Sequence, residues 1–203
     1  MDWAEVARRQ EDRRDRAQGD VLRGNAAYGA GLAHLMLGDA DAARRWLDRA
    51  VEAYRASWSD APPDAWGRPI AALKARLLAG EPADEEARWA LEAGADGSDS
   101  PIGRYAAALA HLVLGDDERA RVHADAIRTR DDFPAAVGDA LAAIAAGTDA
   151  VGYVQAVEDV LESFESRDEY LEDVPVADTV LVLQALAAPR GLRAELSSPL
   201  LPG

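Results

Sequence analysis

The chain contains no cysteine, which excludes disulfides, thiolate nucleophiles and Cys-based zinc sites. Lysine is nearly absent as well: Lys74 is the single lysine among 22 basic residues. Aromatic residues make up only 6% of the chain, and much of the apolar content is alanine, which suits closely approaching helices better than a thick sandwich core. Strands would draw on more Val, Ile and Tyr. The most apolar stretch, Val176 to Ala188, is too short to span a bilayer and contains Asp178. The start, MDWAEVARRQEDRRDR, lacks the apolar run of a secretory signal, so a soluble, cytoplasmic protein is expected.

What is present is acid. Thirty-seven acidic side chains leave a net charge of -15. The longest basic cluster, Arg8 to Arg16, is interleaved with Glu11, Asp12 and Asp15. Nucleic acid binding needs clustered cations that release counterions, so no nucleic acid partner is expected, and the same balance argues against an anionic membrane surface. Arginine set among abundant Asp and Glu resembles proteins of salt-loaded cytoplasms; a GC-rich genome would also favour Arg and Ala over Lys. At 49% hydrophobic and 29% charged, 203 residues can bury a sizeable globular core.

The most informative pattern is a repeat. Tyr28 to Arg44 (YGAGLAHLMLGDADAAR) returns as Tyr105 to Arg121 (YAAALAHLVLGDDERAR), an offset of 77 residues (105 − 28) without slippage. Such self-similarity marks a helical-repeat chain. Pro69, Pro82, Pro101, Pro134 and Pro175 head apolar, Ala-rich runs, as helix starts do. Gly38, Gly80, Gly115, Gly147 and Gly191 follow such runs, where a left-handed residue closes a helix. With apolar stripes of period 3 to 4 between these marks, the spacing predicts ten helices at about 2–18, 21–37, 40–57, 69–79, 82–94, 101–114, 116–130, 134–146, 148–167 and 176–188. The expected fold is all-α: antiparallel helix hairpins stacked as a short solenoid, one domain over residues 1–203, with 1–19 as an N-terminal capping helix and 190–203 as a C-terminal tail.

The hairpins resemble tetratricopeptide repeats. In that family a small residue lies mid-way along the first helix, Gly and Asp fill the turn, and small and large apolar residues mark the second helix. Gly31, Gly38, Asp39, Ala43, Leu47 and Ala50 stand at those places, and the second copy supplies Ala108, Gly115, Asp116, Ala120, Ala124 and Ile127. The turn glycines are irregularly spaced, at 42 (80 − 38), 35 (115 − 80) and 32 (147 − 115) residues, against a family repeat of about 34. The resemblance implies stacked helix pairs with a concave face, and no particular ligand. Val176 to Pro202 is similar to the closing segment of immunity protein 49, an all-α family that protects bacteria from partner toxins; that likeness implies neutralisation by tight binding and transfers no residue role.

Chemistry-bearing residues are few. His34 and His111 occupy equivalent repeat positions and are expected to be structural. His111 and His123 lie on the two arms of one hairpin and can approach each other, but zinc would need two further ligands, so no metal site is expected. From Glu158 to Asp173 there are eight acids and one base, Arg167, which predicts a solvated helix face. No nucleotide-binding glycine loop or nucleophile elbow occurs, and neither a catalytic residue nor a cofactor is expected.

All five tryptophans fall within the first 89 residues. Trp46 and Trp89 are expected to fill the core under arginine lids. Trp58 and Trp66 flank a proline-rich connection where an interaction surface is expected. The remaining anchors proposed for a protein or peptide partner are Tyr28 and Tyr105, with Arg44, Arg45 and Arg121 beside them. The leading expectation is a non-enzymatic protein-interaction module. The alternatives are a toxin-neutralising protein, a homo-oligomer, or an α-helical enzyme or small-molecule sensor whose pocket would hold a histidine and a carboxylate together.

Overall fold

Alanine-rich runs bounded by proline and glycine leave the backbone one economical choice, and the computed structural model, which describes Met1–Gly203, takes it throughout. Ten α-helices form: α1 (Trp3–Arg16), α2 (Asp20–Met36), α3 (Ala40–Ala56), α4 (Gly67–Leu78), α5 (Asp84–Glu92), α6 (Pro101–Leu114), α7 (Asp117–Arg128), α8 (Ala135–Ala146), α9 (Ala150–Glu165) and α10 (Asp178–Ala187). There is no strand. No helix is long and apolar enough to cross a membrane.

The helix ends show why the repeat is read so cleanly. Gly38 and Gly115 both adopt positive φ, 71° and 76°, the left-handed state that glycine enters without a Cβ penalty. The amide of the next residue then reaches back into the helix: Asp39 N donates to the His34 carbonyl at 3.0 Å, and Asp116 N to the His111 carbonyl at 2.9 Å. Each aspartate also caps the following helix, with Asp39 Oδ1 accepting from Ala42 N at 3.0 Å and Asp116 Oδ1 from Arg119 N at 3.2 Å. One turn thus closes the first arm of the hairpin and opens the second.

Consecutive helices pack on one another from α1 to α9, while α2, α4, α6 and α8 also neighbour each other in an inner layer. The crossing of α2 and α3 depends on a missing side chain: a Cβ on Gly31 would lie 2.6 Å from Leu47 Cγ. In the second copy the volumes are redistributed, with Ala108 and Ala124 at the equivalent places, both fully buried. α1 buries Val6, Ala7 and Gln10 against the stack and turns its charged face outward, as a terminal cap does.

The C-terminal segment departs from a simple solenoid. After α9 the chain turns through Leu171–Asp173, where Glu172 and Asp173 take positive φ of 57° and 59°. It then crosses back over the N-terminal half: Val174 and Val176 bury in the same core as Tyr28, Leu47 and Tyr54. α10 packs on α4, α8 and α9. The following residues also fold back, with Leu192 and Leu201 buried and Ala177 N donating to the Leu200 carbonyl at 2.9 Å. The inner face expected to stand open as a concave wall is therefore lined by the protein's own C-terminal segment.

Candidate functional site

Tyr28 and Tyr105 lie inside the protein and are not surface anchors: their relative exposures are 1% and 7%. Their equivalent repeat positions fall on the inner layer of the stack, and α10 occupies that side. Tyr28 Oη donates to Asp178 Oδ2 at 2.7 Å, and Lys74 Nζ reaches the same oxygen at 2.6 Å and Thr179 Oγ1 at 3.1 Å. Burial alone would raise the Asp178 carboxyl, but Lys74 and the Tyr28 hydroxyl outweigh it and hold the group below the usual carboxylate range. Burial likewise works to lower Lys74, and Asp178 more than restores it, so the ammonium is held above its ordinary value. Tyr28 is pushed well up by burial and by the Asp178 charge. Tyr105 Oη lies alongside Thr179, yet it is buried without a hydrogen bond of good geometry. This polar centre fastens α10 to α2 and α4.

The other expected anchors separate. Trp66 is buried at 5% relative exposure, and Trp58 is half-buried, set edge-to-face on Trp89 with ring centroids 5.3 Å apart. The arginine lids are Arg55 over Trp89 and Arg49 over Trp46. Beneath the first lid lies the buried Glu86, which accepts from Arg55 Nη2 at 3.0 Å. Trp58, Pro62, Pro63 and Trp66 form one wall of a hollow of about 590 Å³, with Gly94, Gly97 and Ser98 opposite. Arg44, Arg45 and Arg121 are exposed. Arg44 pairs with Glu81 at 2.9 Å and Arg121 with Asp125 at 3.6 Å. The acids from Glu158 to Asp173 face solvent as expected, apart from Glu172, whose carbonyl accepts from the buried Gln10 at 2.7 Å and whose carboxylate pairs with Arg13 at 2.8 Å.

The histidines do more than the repeat alone requires. His111 and His123 stack with ring centroids 5.7 Å apart and planes 10° from parallel. Both direct Nε2 at one oxygen, Asp96 Oδ1, at 2.7 and 3.1 Å. These three ligand-type atoms lie within 4.8 Å of one another. The imidazoles are buried while the Asp96 side chain is 47% exposed. Hydrogen bonds from His111 first and His123 second hold the Asp96 carboxyl below its ordinary value. On its other side His111 Nδ1 faces Asp116 Oδ2 at 3.8 Å. His34 in the first copy has the same surroundings in outline, with Glu11 at 2.9 Å and Asp39 at 4.0 Å, but no second imidazole.

Asp96 escapes a sequence reading because it lies on the short turn Ala95–Gly97, outside the repeat, where any of several acids is an equal candidate. Lys74 and Asp178 carry a clearer signal: one is the single lysine of the chain and the other interrupts its most apolar run. A lone charge in an apolar helix implies a buried partner. Imidazole and carboxylate in contact are half of what a small-molecule pocket would show; here the carboxylate opens to solvent and not into a closed cavity. Compared with known proteins, the chain matches no family model, no curated protein and no solved structure.

Proposed function

We propose that this chain is a non-enzymatic helical-repeat protein that works by binding another protein. The observation that carries the reading is the hollow of about 590 Å³ between the Trp58–Trp66 connection and the Gly94–Ser98 turn. Aromatic and arginine side chains dominate the energetics of protein interfaces. Here Trp58 is half-buried and Pro62 and Pro63 are exposed, while exposed Arg45 lies on α3 outside the lining of the hollow and serves as a control position. The hollow is walled by two connections held on rigid helices, which presents a binding surface at little ordering cost. The inner face is already filled by α10, so a partner docks on the connections and not along the stack.

Affinity capture from native lysate, at low and at high salt, tests this with the wild-type chain, Trp58→Ala and Arg45→Glu as baits. A single protein retained by wild type and lost from Trp58→Ala, with helical content unchanged, is the expected result. Retention of the same protein by all three baits would move the interface elsewhere, and its loss only at high salt would assign the contact to surface charge.

A further inference from the structure

We propose that Asp96, His111 and His123 form a binding site for one divalent transition-metal ion, with Zn²⁺ the best fit. Two imidazole nitrogens and a carboxylate oxygen are a donor set for zinc-like ions and not for Ca²⁺ or Mg²⁺, which take oxygen ligands. The three atoms already converge, at 2.7 and 3.1 Å from Asp96 Oδ1 to the two Nε2 atoms. Zn–N and Zn–O bonds of about 2.0–2.2 Å place tetrahedral donors about 3.3 Å apart. Side-chain shifts that open the two Asp96 separations, with all three atoms already within 4.8 Å of one another, admit the ion.

The protonation arithmetic also favours an ion. An ionised carboxylate only accepts, so without an ion both imidazoles must present Nε2–H to the same Asp96 oxygen. That leaves His111 Nδ1 as a bare acceptor facing Asp116 Oδ2 at 3.8 Å, and His123 Nδ1 buried with no partner. One ion on the two Nε2 atoms moves the proton of each ring to Nδ1; at His111 that N–H faces Asp116 Oδ2 across 3.8 Å, the direction in which a carboxylate orients a metal-bound imidazole, and at His123 it faces no acceptor. The half-exposed Asp96 leaves a coordination position open to water.

The first copy is an internal control. His34 and Glu11 repeat the imidazole–carboxylate contact at 2.9 Å, but the place of His123 is taken by Trp46. Two donors without a third do not make the site.

Titration of the metal-free chain with Zn²⁺ by calorimetry, and with Co²⁺ by visible absorption, tests the proposal. One ion per chain is expected, with the d–d bands of nitrogen-ligated four- or five-coordinate Co²⁺. Asp96→Asn on the exposed turn and His123→Gln should each weaken binding at least about tenfold, while His34→Gln leaves it unchanged. If His123→Gln fails to fold, Asp96→Asn and the Co²⁺ spectrum decide. No binding at micromolar protein, or several weak ions bound alike by all variants, would assign the cations to surface carboxylates and overturn the site. The outcome is independent of whether a partner docks at the Trp58 hollow.

Discussion

The α2–α3 and α6–α7 hairpins share a turn, a cap and a histidine, and they differ in what was fitted around them. In the first, Gly31 lets Leu47 press against the helix backbone, and Trp46 lies under Arg49. In the second, alanines fill the crossing and His123 joins His111 on one carboxylate. The lesson is that backbone-determining positions were kept while volume and polarity moved between neighbours. The two tyrosines follow the same logic: Tyr28 bonds to Asp178 at 2.7 Å, whereas Tyr105 brings its hydroxyl into the same buried centre unpaired.

The largest effect is expected where both hairpins meet α10. Asp178→Ala leaves Lys74 and Tyr28 buried without their shared acceptor, a loss of about 3–5 kcal/mol in denaturant unfolding. Pairing it with Lys74→Met should recover most of that loss, because the uncompensated charge is then gone; no recovery would mean that the carboxylate acts through something other than the ion pair. Next comes the crossing of α2 and α3. Leu47→Ala should cost about 2–5 kcal/mol and Gly31→Ala about 1–3 kcal/mol, but the double variant, which installs the second copy's alanine pair, should cost clearly less than their sum. Additive costs would show that the hairpins do not exchange volume in this way.

A smaller contrast separates the tyrosines. Tyr28→Phe removes a hydrogen bond to a charged group, at about 1.5–3 kcal/mol, whereas Tyr105→Phe removes a hydroxyl that has no partner and should be neutral or slightly stabilising. Equal losses would erase the distinction. The polar centre also sets a pH window. The Asp178 pKa is lowered by folding, so its contribution is complete above the unfolded carboxyl value near about 4 and is lost as pH falls through the folded value. The Lys74 pKa is raised, so its contribution holds below about 10.4 and is lost as pH rises beyond that. Stability of the wild type should therefore fall at both extremes, and Asp178→Ala should flatten the acid limb.

Helix number and limits were legible in the sequence because local chemistry decides them. Gly38, Gly80, Gly115, Gly147 and Gly191 all take positive φ, and each of the ten helices lies where proline, glycine and apolar spacing place it. The return of the chain over its own inner face was not legible. It depends on Glu172 and Asp173 adopting a left-handed turn and on Val174 and Val176 finding a core made 120 (174 − 54) to 146 (174 − 28) residues earlier, from Tyr28, Leu47 and Tyr54; no local pattern encodes a contact of that reach. The same limit hid the triad, since His111 and His123 were visible as neighbours on one hairpin while their carboxylate came from a loop outside it.

The chain has only three histidines, so one experiment reads both hairpins at once. A long-range ¹⁵N–¹H spectrum of the imidazoles, recorded before and after one equivalent of Zn²⁺, reports the state of every ring nitrogen. If the second hairpin is the metal site, the Nε2 signals of His111 and His123 shift together and those of His34 stay in place. Equal shifts at all three rings, or none at all, would contradict the division of roles between the two copies.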